Sequence, residues 1–149
     1  MQRLNHWEIS PELKRRKKVT VTNKTDLPDQ VKNSFTDGEY RTVVTNEPVT
    51  VYRAFDGDAA SQGAFATTSP AKSRIDVKID LALKPEWKNT RIHETKIKIP
   101  GGEILNVGKV APQTIDKTGT VLSGGGDQIL MPRDWPSEWI QDIYKVPIK

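Results

Sequence analysis

The sequence contains no cysteine. That excludes disulfide bonds, thiolate metal sites and a cysteine nucleophile. It also suits a chain that works in a reducing cytosol. Histidine is nearly absent, with only two, His6 and His93. So distant a pair leaves a metal site to carboxylates, and no metal is expected. No apolar run approaches the roughly 20 residues that cross a bilayer, so no membrane partner is expected. The N-terminus shows no apolar h-region, so no signal peptide is expected either.

What remains is a charged chain of 149 residues with 35% hydrophobic content, a size that suits one domain and one core. Its formal net charge of +4 points to an anionic partner. The charge is not evenly spread. Lys14, Arg15, Arg16, Lys17 and Lys18 stand in one run, and without them the balance turns slightly negative. The basicity therefore belongs to an N-terminal segment, and nucleic acid is not expected as a partner. Residues 1–24 read as a leader or linker outside the core, with a helix start at Ser10-Pro11 and a short strand at Val19 to Thr22. Residues 25–149 read as the domain proper.

Within that domain Leu27, Val31 and Phe35 are spaced four apart, which predicts a short helix ended by Asp37-Gly38. Two strands follow between Tyr40 and Phe55, joined by the turn Asn46-Glu47-Pro48. In the second, Val49, Val51 and Arg53 share a face. An arginine on the buried side has a reason to be there. A Gly/Ser/Ala loop runs from Asp56 to Ser69. Pro70 to Leu83 fits both a strand and a helix; the Ser69-Pro70 start and the spacing of Ile75, Ile79 and Ala82 favour the helix. Glu94 to Ile99 is a strand, and Glu103 to Val110 predicts one or two more, broken at Gly108. Gln113 to Leu122 reads as a polar loop, Asp127 to Met131 as a strand, and Trp139 to Val146 as the closing strand. The total is an α+β domain of short, mostly antiparallel strands with one or two helices.

Three stretches carry candidate chemistry. Tyr52-Arg53-Ala54-Phe55 offers a guanidinium fork suited to phosphate or carboxylate. Gly63 to Ser69 sets Phe65 among small residues, where a ring can stack on a flat ligand, with Thr67 and Thr68 close by. Gly124-Gly125-Gly126 frees the backbone ahead of Gln128, whose amide can hold a hydroxyl in place. Taken singly, each has a plainer explanation: a paired sheet arginine, a core phenylalanine, a flexible hairpin.

Their order adds to this. The segments YRAFDG (52–57), GAFATT (63–68), LALKPEW (81–87), VGKVAPQ (107–113) and GGGDQILMP (124–132) together resemble the tuberculosis-necrotizing-toxin domain. That is the NAD-glycohydrolase branch of the ADP-ribosyltransferase-like toxins. The resemblance spans about the last two-thirds of the chain. It implies an ADP-ribosyltransferase-like fold with a split sheet, and hydrolysis of NAD+ or NADP+ as substrate, with no separate cofactor. Arg53 and Gln128 would be the catalytic pair, the first on the diphosphate or ribose, the second on a hydroxyl of the nicotinamide ribose. Phe65 would stack on nicotinamide, with Tyr52, Thr67, Thr68, Gly125 and Gly126 as further substrate contacts. The loop between Gly57 and Gly63 is longer than the family pattern. The family also implies a cognate immunity protein, and delivery within a larger secreted toxin that acts in the cytosol of a target cell.

Glutamine is no base at neutral pH, so water is favoured over a protein acceptor. Asp127 would point to the opposite face of its strand. Three alternatives stay open on the sequence alone. One is transfer of ADP-ribose to protein or RNA. Another is an RNase centred on His93 with Glu94 and Lys96 nearby. The third is a non-enzymatic binding module.

Overall fold

The computed structural model describes residues 18–115 and 117–148. The helix start expected at Ser10-Pro11 and most of the basic run lie outside them. Ten strands, β1 to β10, are Val19–Val21, Phe35–Thr45, Val49–Gly57, Phe65–Ala66, Asn89–Ile99, Ile104–Val110, Gln113–Thr114, Val121–Leu122, Asp127–Leu130 and Ile140–Lys145. Among the described residues the α-helices are α1, Asp29–Lys32, and α2, Arg74–Asp80.

The strands form a five-stranded sheet, ordered β1-β2-β6-β9-β4, and a three-stranded sheet, ordered β10-β5-β3. Every pairing is antiparallel. A small β7–β8 hairpin stands apart. This is the α+β, split-sheet architecture expected. The strands on either side of Asn46-Glu47-Pro48, β2 and β3, do not pair with each other. They belong to different sheets, and the turn carries the chain across. The reason lies in their alternation. Val43 from one and Val49 and Val51 from the other enter a single core with Ile97, Ile99, Leu105 and Ile129. One sheet therefore lies over the other, as in sheet-on-sheet packing. Each such fully buried side chain contributes about 1.5–3 kcal/mol.

Four local expectations need correction. Val19 is buried in this core, and β1 pairs with β2, so part of the supposed leader belongs to the sheet. The helix at 27–35 shrinks to the single turn α1, because Phe35 opens β2 with its ring fully buried against Tyr40. Helix α2 forms as favoured but starts later than the Ser69-Pro70 signal, capped by Ser73, whose Oγ accepts from the Asp76 N–H at 3.2 Å. Its buried residue is Val77, whereas Ile75 and Ile79 face outward. Finally, β6 runs unbroken through Gly108. A Cβ there would lie 2.7 Å from the Phe35 ring and 2.8 Å from the Glu39 carbonyl, so the glycine makes room for the ring.

The two sheets touch edge to edge at one place. The N–H and C=O groups of Tyr52, in β3, exchange 2.8 Å bonds with those of Thr67, just past β4. Residues of both edges, Tyr52, Arg53 and Ala54 of β3 and Phe65 and Ala66 of β4, line a cleft beside that bridge.

Candidate active site

Arg53 comes from β3, Phe65 from β4 and Gln128 from β9, and all three line one cavity of about 560 Å3. Tyr52 lines it too. An adjoining cavity of about 310 Å3 is bordered by Thr67, Thr68, Gly125 and Gly126. Ala54, Leu81 and Asp127 border both. Both volumes fall within the range of small-molecule sites. The expected substrate residues thus line one or other of two adjoining cavities.

The arginine on the valine face has its reason. Its Nε donates to the Ala60 carbonyl at 2.8 Å and one Nη to the Phe65 carbonyl at 2.9 Å. It ties the 58–65 loop back onto β3. Burial pulls its pKa below the usual arginine value, since a low-dielectric surrounding penalises the charged form. Among the described residues no carboxylate pairs with it. A partly buried cation without a carboxylate partner favours an anionic ligand.

Gln128 is buried, with 8% of its surface exposed. Its amide nitrogen donates to Ser34 Oγ at 2.9 Å. Ser34 Oγ in turn donates to the Val31 carbonyl at 2.5 Å. Asp127, the residue before it, does not simply turn away, since it borders both cavities. There Thr68 Oγ1 donates to one carboxylate oxygen at 2.5 Å, and Lys109 pairs with the other.

The glycine loop plays a more structural part than expected. The N–H groups of Gly124 and Gly126 donate to the last carbonyls of α2, Ile79 and Asp80, and that of Gly125 donates to Val110. These three donors are already engaged, so the loop offers a ligand room rather than glycine N–H donors. A Cβ at Gly125 would meet nothing within 4 Å, whereas one at Gly124, with φ at +66°, would meet the Val110 carbonyl at 2.6 Å.

Two other site residues were not anticipated. Ser34 reaches the cavity from the segment after α1, and the half-exposed Trp87 stands on its border. Trp87 lies in LALKPEW, one of the segments that carry the resemblance, and Ser34 carries no local signal. Glu94, only 1% exposed, lines the smaller cavity. Its two oxygens accept from the Ala71 N–H at 2.9 Å and the Tyr144 hydroxyl at 2.6 Å. Burial raises its pKa above the usual carboxylate value, and the two hydrogen bonds act against that.

His93 lines neither cavity. Its Nδ1 pairs with Asp56, and its ring lies 5.9 Å from that of Phe55. Glu94 takes the opposite face of β5 and is bound by Tyr144 and Ala71, while Lys96 is exposed. The three do not assemble into a cluster.

No protein-family model matches the sequence, and no curated protein matches it. Among solved structures, that of Tne2 in complex with Tni2 is similar, with a TM-score of 0.60 at 12% sequence identity. The match covers 77% of this chain and 99% of that one. At that identity the likeness establishes a shared fold.

Proposed function

We propose that this chain is a bacterial toxin domain with an ADP-ribosyltransferase-like fold, of the tuberculosis-necrotizing-toxin kind, that hydrolyses NAD+ or NADP+. The products would be nicotinamide and the corresponding ADP-ribose. The observation that carries the reading is the meeting of Arg53, Phe65 and Gln128, from three different strands, in one cavity of about 560 Å3. The fold shared with Tne2 supports it.

The chemistry asks little of an acid or base. As the bond between C1′ and the pyridinium nitrogen breaks, its electron pair goes to the nitrogen and nicotinamide leaves neutral. Positive charge spreads over C1′ and the ring oxygen of the ribose. Water then adds at C1′ and releases a proton. The protein's work is to orient the reactants and stabilise the developing charge. Phe65 would pack on the nicotinamide ring. The Gln128 carbonyl would accept from a ribose hydroxyl. Arg53, with N–H groups left over from its two carbonyl bonds, would hold the diphosphate or help place the ribose. Tyr52, Thr67, Thr68, Gly125 and Gly126 would border the rest of the substrate. No cofactor is required beyond the dinucleotide.

A domain that destroys NAD+ endangers the cell that makes it. We therefore assign it a tight immunity protein that covers the cleft, a reading supported by the partner present in the Tne2–Tni2 complex. The domain would be delivered within a larger secreted toxin and act in the cytosol of the target cell.

Transfer to an acceptor is the second reading. Glu94, a buried carboxylate beside the adjoining cavity, favours it. One experiment separates the two: NAD+ consumption by wild type and Gln128→Ala, with products resolved and no acceptor present. Release of nicotinamide and free ADP-ribose by the wild type, lost in a folded variant, is the expected result. Nicotinamide release only when an acceptor is added would move the assignment to transfer. No NAD+ turnover under either condition would end both readings.

A further inference from the structure

The orientation of the Gln128 amide is set from outside its own strand. We infer that Ser34 is a positioning residue, which turns the Gln128 carbonyl toward the cavity. The consequence for catalysis rests on the NAD+ reading above; the geometry does not.

A serine hydroxyl has one proton. Ser34 Oγ lies 2.5 Å from the Val31 carbonyl oxygen, which can only accept, so the proton points there. The Ser34 oxygen then has only lone pairs to offer its other neighbour, the Gln128 amide at 2.9 Å. The amide must present its nitrogen to Ser34 and its oxygen to the other side. A flipped amide would set two lone-pair oxygens against each other. The serine is itself fixed. Its N–H donates to the Val31 carbonyl at 3.0 Å, and its own carbonyl accepts from the Ala111 N–H at 2.9 Å. Helix α1 and the end of β6 thus hold the hydroxyl that sets the glutamine. One amide N–H is thereby engaged with Ser34, and the carbonyl oxygen is left as an acceptor suited to a ligand hydroxyl in the cavity that Gln128 lines.

The test has two independent readouts. The first is the side-chain NH2 pair of Gln128 by 15N NMR in the ligand-free protein. Ser34→Ala should shift this pair and raise its exchange with water. A pair that stays in place would overturn the inference, whether or not the protein turns over NAD+. The second is steady-state hydrolysis. Ser34→Ala should lower kcat by about tenfold, the scale of one lost hydrogen bond, with KM moved less than about twofold. Ser34→Thr, which keeps the hydroxyl, should recover most of kcat. In a Gln128→Ala background, Ser34→Ala should do nothing further, as coupled residues do. Additive losses would overturn the positioning role, as would wild-type kcat in Ser34→Ala. If the wild type released no nicotinamide, the functional reading would fail while the NMR result still decided the geometry.

Discussion

The guanidinium of Arg53 lies against Gly63: a Cβ built on that glycine would sit 2.0 Å from the guanidinium carbon. The end of an arginine is ordinarily free to swing aside. Here it donates to Ala60 and Phe65, so moving it breaks the tie between loop and strand. Gly63→Ala should therefore damage the site more than the fold. We expect NAD+ hydrolysis to fall by tenfold or more, with about 1–3 kcal/mol lost from unfolding, the usual scale of overpacking. Parallel rate and denaturant-unfolding measurements check this. Wild-type activity in the variant would mean that Arg53 can act from a displaced position.

Glu94 gives a pH dependence whose sign follows from its surroundings. Burial raises its pKa above the ordinary 4.5. The folded state then holds a proton more tightly than the unfolded chain. Its contribution to stability is present in full below 4.5 and is lost as pH rises through the raised value. Glu94→Gln resembles the protonated acid and has nothing to lose over that window. The difference in stability between wild type and variant, measured across mildly acidic to neutral pH, should shift steadily in favour of the variant. A difference that stays flat would show that the Tyr144 and Ala71 hydrogen bonds fully offset the desolvation.

Gly108 offers a test confined to folding. A Cβ would press the buried Phe35 ring from 2.7 Å, and the Glu39 carbonyl blocks retreat from 2.8 Å. Gly108→Ala should cost about 1–3 kcal/mol and lower the thermal midpoint. An unchanged midpoint would show that the ring can repack.

The same positions show which parts of the structure the sequence reveals. Alternation at Val49 and Val51, and at Thr95, Ile97 and Ile99, identifies strands because a half-buried strand repeats every two residues. Arg53 on that same face was legible as an anomaly for the same reason. The inward face of α2 was not legible. In so short a helix the neighbours decide which side is covered, and they chose Val77 over Ile75 and Ile79. Gly108 suggested a break because glycine weakens strands, but the ring that needs its empty side belongs to Phe35, on another strand. The five segments that carry the resemblance all contribute residues to the two cavities. Ser34 does not announce itself, because its partner Gln128 stands 94 residues away and a lone serine after a helical turn has no pattern.

Trp87 puts the extent of the substrate to the test. It is 49% exposed, large and apolar, and it borders the same cavity as Phe65. A dinucleotide has two flat rings, and Phe65 is assigned to nicotinamide. If Trp87 stacks on the adenine, Trp87→Ala should raise KM for NAD+ by about two- to tenfold, the worth of one aromatic stack, and leave kcat nearly constant. So exposed a side chain should leave the unfolding midpoint unmoved. Nicotinamide mononucleotide lacks the adenosine half, so its KM should be the same for wild type and variant. A matching rise for both substrates would place Trp87 at the nicotinamide end instead. No rise for either would remove it from the substrate site and leave its exposed face for the proposed immunity partner.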